Sequence, residues 1–258
     1  MAGGSSHAKI RIVSLAPNVT SILLELGVGR ELVGVSKWCK DVADVGRRPQ
    51  VGDCWKMNIA EVMRLKPTIL IGSVPFASDT VAKILAEAVT FVAINPRSLA
   101  DIENDIRTLG RIANRAANAE KLILKLTRSF AAVAGAAKTN RAKHRPRVYC
   151  EAWPKPRISS PPWVAELVQL AGGTMVGAAG ERVTDEEVAR EKPDVIVLAW
   201  AATGNRAKSA GALRNPAWQD VPAVRNRRVF VIRDELLNTP GPPLINGAWE
   251  LLRVIHGT

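Results

Sequence analysis

One joint occurs twice in this chain. EVMRLKPTILI (61–71) and EVAREKPDVIV (187–197) share Glu, Val, Arg, Lys and Pro at matching positions. In each, a helical stretch runs into Lys–Pro. Proline cannot continue a helix, and it pushes the residue before it toward extended backbone. The residues that follow are β-branched or aliphatic, the pattern of a strand buried in a parallel sheet. A looser echo supports the repeat. SILLELGVGRELVGV (21–35) and AELVQLAGGTMVGA (165–178) each pass from an apolar helix through glycine into a short strand or loop. Two copies of one α/β unit account for both pairs.

The first copy spans 9–97, with strands IRIVSL, LVGV, TILIG and FVAI separated by helical patterns. The second spans 146–258, with strands RVYCEA, DVIVLAW and RVFVIR. Strand–helix alternation of this kind predicts parallel sheets. Between the copies, 98–145 reads as connecting helices: Ser98 can cap one start, Asn118 offers another, and no proline intervenes up to 140. A helix over 118–139 would be about 33 Å long at 1.5 Å per residue. The predicted fold is therefore α/β, with two parallel-sheet lobes joined by a long backbone helix.

Composition narrows the function. With 258 residues there is room for one large domain or two of roughly 120. No stretch approaches the roughly 18 uninterrupted apolar residues of a membrane span, so a soluble chain is expected. The formal charge of +12 points to anionic company. The densest basic run, KTNRAKHRPR (138–147), lies between two periodic segments and reads as a solvated connector. No helix-turn-helix, zinc-finger or RNP motif accompanies it, so nucleic-acid binding is a minor reading. Cys39, Cys54 and Cys150 form no CxxC pair, and the three histidines are His7, His144 and His256. A disulfide framework, a His-rich metal site and a His-centred triad are not expected. The opening MAGGSSHA lacks the apolar core of a signal peptide.

In open parallel sheets, ligands bind beyond the carboxyl ends of the strands. Those positions here are APN (16–18), SKWC (36–39), SVPF (73–76), EAWPKPR (151–157), WAATG (200–204) and DELLNTPGPP (234–243). GDCWKMN (52–58) opens the helix before the third strand. Trp38, Trp55, Trp153 and Trp200, four of the seven tryptophans, fall on this rim. Filling a core does not call for such placement, whereas a large planar ligand does. Lys37, Lys56, Lys155 and Arg157 stand beside the rings and suit polar or anionic ligand edges. The stretch YCEAWPKPRISSPPW (149–163), rich in proline, reads as a strand followed by a stiff loop. Pro17, Asn18, Trp38, Trp55, Pro75, Trp153, Arg157 and Trp200 form the candidate binding set. Trp218 and Trp249 read as core, and Trp163 fits either role. Asp53, Glu151, Asp234 and Glu235 lie near the rim without the spacing of a catalytic carboxylate pair. No serine has a histidine partner and no glycine-rich phosphate loop occurs. A binding site without a reaction is the expectation; an enzyme acting on a nucleotide-like or corrinoid substrate is the alternative.

IVSLAPNVTSILLELGVGRELVGVSKWC, LKPTILI, WPKPR followed by WVAELVQLAGG, EEVAREKPDVIVL, NPAWQDVPAVRNRRVFVI and PGPPLINGAWELL occur in this order. That order resembles the substrate-binding proteins of ABC importers for cobalamin, haem and ferric siderophores, over about 10–257. The cobalamin-binding branch is the most similar. The resemblance implies a monomer of two lobes with one ligand in the cleft between them, aromatic side chains lining it, and small hinge motion. Trp38 matches a family aromatic, and Trp55 and Trp153 each lie one position from another. It implies a corrinoid ligand, no intrinsic cofactor, a periplasmic or other extracytoplasmic location, and delivery to an importer's membrane subunit. Glu186 matches one of two exposed docking glutamates; Ala60 stands at the other, with Glu61 beside it. Pro243 replaces an arginine frequent in the branch. A ferric-siderophore receptor, a haem receptor and a cytosolic corrinoid carrier or sensor are the alternatives. Haem is disfavoured because the rim lacks histidine and the sole tyrosine, Tyr149, lies in a strand.

Overall fold

The computed structural model describes residues 10–139, 145–203 and 206–257. Residues 140–144 of the basic run at 138–147, including His144, and the opening MAGGSSHA lie outside the described residues. The chain forms two compact units. Unit 1 comprises Met1–Asn95 and Asp105–Leu122; unit 2 comprises Pro96–Asn104 and Ile123–Thr258.

Unit 1 carries β1 (Ile12–Ser14), α1 (Pro17–Glu25), β2 (Leu32–Val35), α2 (Ile59–Arg64), β3 (Ile69–Ser73), α3 (Ser78–Leu85) and β4 (Thr90–Ile94). Its sheet has the order β2-β1-β3-β4, all parallel, with Ile12 opposite both Leu32 and Ile69. Val13, Leu15, Leu70, Val62 and Ile84 pack into one core, which is why the central strands carry no polar alternation. The strand order reverses between β1 and β3. The crevice beyond their carboxyl ends is where a sheet of this type receives a ligand.

Two helices, α4 (Leu99–Ile112) and α5 (Ala116–Thr139), each supply residues to both units. Ser98 caps α4 through the Asp101 amide, 3.0 Å from Ser98 Oγ. The chain breaks at Asn114, in the left-handed region at φ 54°, and α5 starts at Ala116 rather than at Asn118. Asn118 serves another end: its Nδ2 donates to the Leu26 carbonyl at the end of α1. At 24 residues, α5 is about 36 Å long.

Unit 2 continues with β5 (Arg147–Pro154), β6 (Arg157–Ser159), α6 (Pro162–Leu170), β7 (Thr174–Met175), α7 (Asp185–Arg190), β8 (Val195–Leu198), α8 (Ala210–Leu213), α9 (Pro222–Arg225), β9 (Val229–Val231), α10 (Asp234–Leu237) and α11 (Leu244–His256). The sheet order is β6-β5-β8-β9, and β7 pairs with the first two residues of β5. Only β6 runs antiparallel. Here the order reverses between β5 and β8.

The repeated joint has one structure in both units. Asn58 caps α2 through the Glu61 amide, and Thr184 caps α7 through the Glu187 amide. Each helix then ends on a lysine in the left-handed region, Lys66 at φ 47° and Lys192 at φ 45°, before proline and strand. The helix-end carbonyls are collected by an arginine just ahead of or at the start of the unit's central strand. Arg11 donates to Leu65 and Lys66, and Arg147 donates to Glu191.

Two expectations are corrected. The segment after Tyr149 is not a strand followed by a loop; it is a β-hairpin. β5 runs to Pro154, and β6 returns with Trp153 opposite Ile158. Both prolines that flank Lys155 lie at or in the turn, where no ladder donor is lost. Trp249 is not core but 43% exposed. α11 buries Leu244, Gly247, Ala248, Leu251, Leu252, Val254 and Ile255, a single helical stripe, and Trp249 falls outside it. Trp218 is fully buried.

Candidate functional site

In unit 1 the rim rests on a buried polar layer. Thr20 Oγ1 lies 2.7 Å from Ser14 Oγ and 3.0 Å from Cys39 Sγ, and Cys39 also contacts Ser36 Oγ at 3.1 Å. These bonds fix the turn after β2 against the end of β1, and Trp38 stands on that turn, half-buried. Pro17 and Asn18 open α1 with no side-chain cap; proline fits the first helical position because its missing N–H is not needed there. Asn18 is buried and its Nδ2 has no hydrogen-bond partner.

Trp55 sits at the tip of a tight loop, 58% exposed. Asp53 Oδ1 accepts the Trp55 and Lys56 amides at 3.0 and 2.8 Å, and Gly52 turns the chain at φ 88°. A Cβ at Gly52 would lie 2.5 Å from the Lys56 carbonyl, so only glycine fits. The other Asp53 oxygen pairs with Lys37 Nζ at 2.7 Å, and Lys37 lies 4.8 Å from the Trp38 ring centroid. One carboxylate thus anchors both rim tryptophans. Burial acts to raise the Asp53 pKa, but Lys37 and the two amides outweigh it and hold the carboxyl below its usual range. Pro75 is exposed after β3, with Phe76 beneath: its ring occupies the space a side chain at Gly72 would need and meets Phe91 edge-on at 5.6 Å.

In unit 2 the rim rests on a buried charge. Glu151, on β5, is fully buried. Its Oε2 accepts from Arg157 Nη1 and from the Tyr149 hydroxyl, and its Oε1 accepts from Trp200 Nε1 at 2.7 Å. Arg157 Nε and Nη2 hold Asp185 Oδ1 at 2.7 and 2.6 Å, and the guanidinium lies 4.3 Å from the Trp218 ring centroid. Trp218 in turn donates to the Asp185 carbonyl and meets Tyr149 edge-on. Burial pushes the Glu151 carboxyl up; Arg157 and the hydrogen-bond donors pull against it without cancelling the effect.

The eight candidate residues therefore fall into two sets. Trp38 and Trp55 share the Asp53 anchor, with Pro17, Asn18 and Pro75 on the same unit's strand ends. Trp153 and Trp200 stand on unit 2, Trp153 41% exposed on the hairpin with its Nε1 on the Lys155 carbonyl, Trp200 half-buried after β8. Arg157 differs from its expected role, since its guanidinium is committed to Glu151 and Asp185. Trp163 is buried, its Nε1 on the Leu237 carbonyl. The residue pattern did not mark Tyr149 and Asp185 as parts of the site, and placed Glu151 near the rim only as a carboxylate without the spacing of a catalytic pair. Tyr149 and Glu151 alternate on a strand with Arg157 six residues beyond Glu151, which is a signal too weak to find the network by itself.

Burial raises the thiols of Cys39, Cys54 and Cys150, the last to about 12, so none is poised as a thiolate. Among the described residues no group of His, Cys, Asp and Glu could hold a metal ion, and no helix is long and apolar enough to cross a membrane.

The family model described as periplasmic binding protein matches residues 12–236. An ABC transporter substrate-binding lipoprotein of Bacillus subtilis, YvrC, is 25% identical over 95% of this chain and 80% of that protein. A vitamin B12-binding protein of Vibrio cholerae is 28% identical over 93% of this chain and 87% of its own length. Among solved structures, the heme-binding protein RhuT of Roseiflexus superposes with a TM-score of 0.81 at 23% identity, covering 97% of this chain and 99% of that one. The vitamin B12-binding protein BtuF of Vibrio cholerae superposes with a TM-score of 0.75 at 23% identity, covering 95% and 96%. The shared fold and the matched residues lead to one conclusion: this chain belongs to the periplasmic binding protein family, a family of ABC-transporter substrate-binding proteins and not of enzymes.

Proposed function

We propose that this protein binds a corrinoid of the cobalamin type, as an extracytoplasmic monomer, and delivers it to an ABC importer. The observation that carries the reading is the placement of tryptophans on the carboxyl-end rims of both sheets: Trp38 and Trp55 on one, Trp153 and Trp200 on the other. Partly exposed flat rings suit a large planar ligand, and Lys37, Lys56 and Lys155 supply cations for its polar edge. The vitamin B12-binding relatives favour the same ligand. Haem is less well served. Tyr149 is fully buried with its hydroxyl on Glu151, and the His256 ring is bound to the Ala171 carbonyl. Docking falls to Glu186, exposed in the first turn of α7, and its reversal to lysine should slow association with a membrane subunit while leaving ligand affinity unchanged.

Titration with cyanocobalamin, cobinamide, haemin and a ferric siderophore, followed by absorbance and tryptophan fluorescence, tests the ligand. Saturable one-to-one binding of the corrinoids with quenching of the rim tryptophans is expected. Binding of haemin or the ferric siderophore without the corrinoids would overturn the reading.

A further inference from the structure

Glu151 is an expensive residue to keep. Removing a carboxylate and a guanidinium from water costs several kcal/mol each, and an apolar pair of similar volume often serves stability as well or better. Its retention in the middle of unit 2 therefore calls for a geometric explanation.

The hydrogen bonds give one. The main chain on either side of Trp200 is already pinned, with the Ala199 amide on the Glu151 carbonyl at 2.8 Å and the Ala201 amide on the Ala152 carbonyl at 2.9 Å. What the backbone leaves undetermined is the rotation of the indole ring. That is set by packing against the unit 2 core and by the 2.7 Å bond from Trp200 Nε1 to Glu151 Oε1. Glu151 is itself immobilised from the other side by Arg157 and Tyr149 on Oε2. Arg157 is held by Asp185 and by the Trp218 ring. A carboxylate held by two other donors makes a stiff acceptor, and an indole can donate to it while presenting a wide flat face.

We propose that Glu151 is the positioning residue of the unit 2 rim: without touching the ligand, it fixes the Trp200 ring in the orientation that stacks on a flat macrocycle. The inference rests on the corrinoid reading for its ligand, but the orientation of the ring can be read without one.

The test uses the paired replacement Glu151→Leu with Arg157→Leu, which removes both buried charges together so that neither is stranded. Cyanocobalamin is the probe. The leucine pair should stay folded, with a melting temperature somewhat below the parent's because the Tyr149 hydroxyl and the Trp200 ring nitrogen lose their acceptor, and should lose roughly tenfold in affinity. Trp200→Phe should lose a similar factor, and combining it with the leucine pair should add nothing, because the two changes break one bond. Glu151→Gln, which keeps an acceptor for the indole, should bind within about threefold of the parent. Parent-like affinity in the leucine pair, or losses that multiply in the combination, would overturn the proposal. Should the leucine pair not fold, Glu151→Gln against Glu151→Ala decides it by the same rescue. If the parent ignores cyanocobalamin, the ligand reading fails separately. Hydrogen exchange of the Trp200 indole proton then decides the positioning: slow in the parent and fast in the leucine pair supports it, and equal rates refute it.

Discussion

In unit 1 both rim tryptophans hang from Asp53, which is paired with a solvent-facing lysine; in unit 2 Trp200 hangs from a carboxylate with no solvent exposure, while Trp153 stands on the hairpin. Lys37 keeps 45% of its side chain exposed, whereas Glu151 keeps none and Arg157 17%. The units share the capped helix, the left-handed lysine and the arginine that collects the helix end. One duplicated scaffold thus presents aromatic rings by two means. The exposed means leaves the Trp55 ring 58% exposed at a loop tip, and the buried means holds Trp200 through its ring nitrogen. The contrast is between the Asp53 anchor of unit 1 and the fully buried Glu151 anchor of Trp200 in unit 2.

Breaking the two ion pairs should separate the units most widely. Arg157→Met strands a buried carboxylate and should cost about 3–5 kcal/mol in denaturant unfolding. Lys37→Met removes an exposed partner and should cost less than about 1 kcal/mol. Equal costs would erase the distinction between the rims.

At the level of the ligand the units should look alike. Trp38→Ala and Trp153→Ala each remove a large aromatic contact of about 2 kcal/mol, roughly a thirty-fold loss of corrinoid affinity by calorimetry. Variants that bind like the parent but melt earlier would reassign these rings to packing.

Acid should distinguish the rims again, with a smaller effect. The Asp53 carboxyl is held below its usual range, so its contribution is present above the unfolded value of about 3.9 and is lost as pH falls through the folded one. The Glu151 carboxyl is raised, so its titration favours the fold on the acid side and that contribution is lost as pH rises through its folded value. Fluorescence of single-tryptophan variants should show Trp55 steady from pH 8 down through the usual carboxylate range and loosened only at still lower pH. Loosening of Trp200 first would contradict both assignments.

The smallest effect should fall equally on both units. Lys66→Gly and Lys192→Gly relieve left-handed backbone worth about 1–2 kcal/mol, against about 0.5–1 kcal/mol for the added freedom of glycine in the unfolded chain. A net gain of about 0.5 kcal/mol in each, by denaturant unfolding, would show that the joint is one structure used twice. A gain in one unit and a loss in the other would show that its context differs.

Much of this architecture was legible in the residues. The repeated Lys–Pro joint announced two α/β copies, because proline ends a helix wherever it falls and a run such as TILI or DVIV suits a strand covered on both sides. The tryptophans were placed on the rim because a strand's carboxyl end is known once the strand is. These are local facts, and chain-local chemistry decides them. The hairpin after Trp153, the outward face of Trp249 and the inward turn of Arg157 were not legible. An arginine beside tryptophans reads as a ligand contact until Glu151 and Asp185 are seen to close around it, six and twenty-eight residues away. Charges choose partners across space by burial and reach, and sequence separation carries no record of either. The chain's own order therefore determined which elements form and where the rings stand, and only the tertiary structure decided which of the neighbouring charges hold the rings in place.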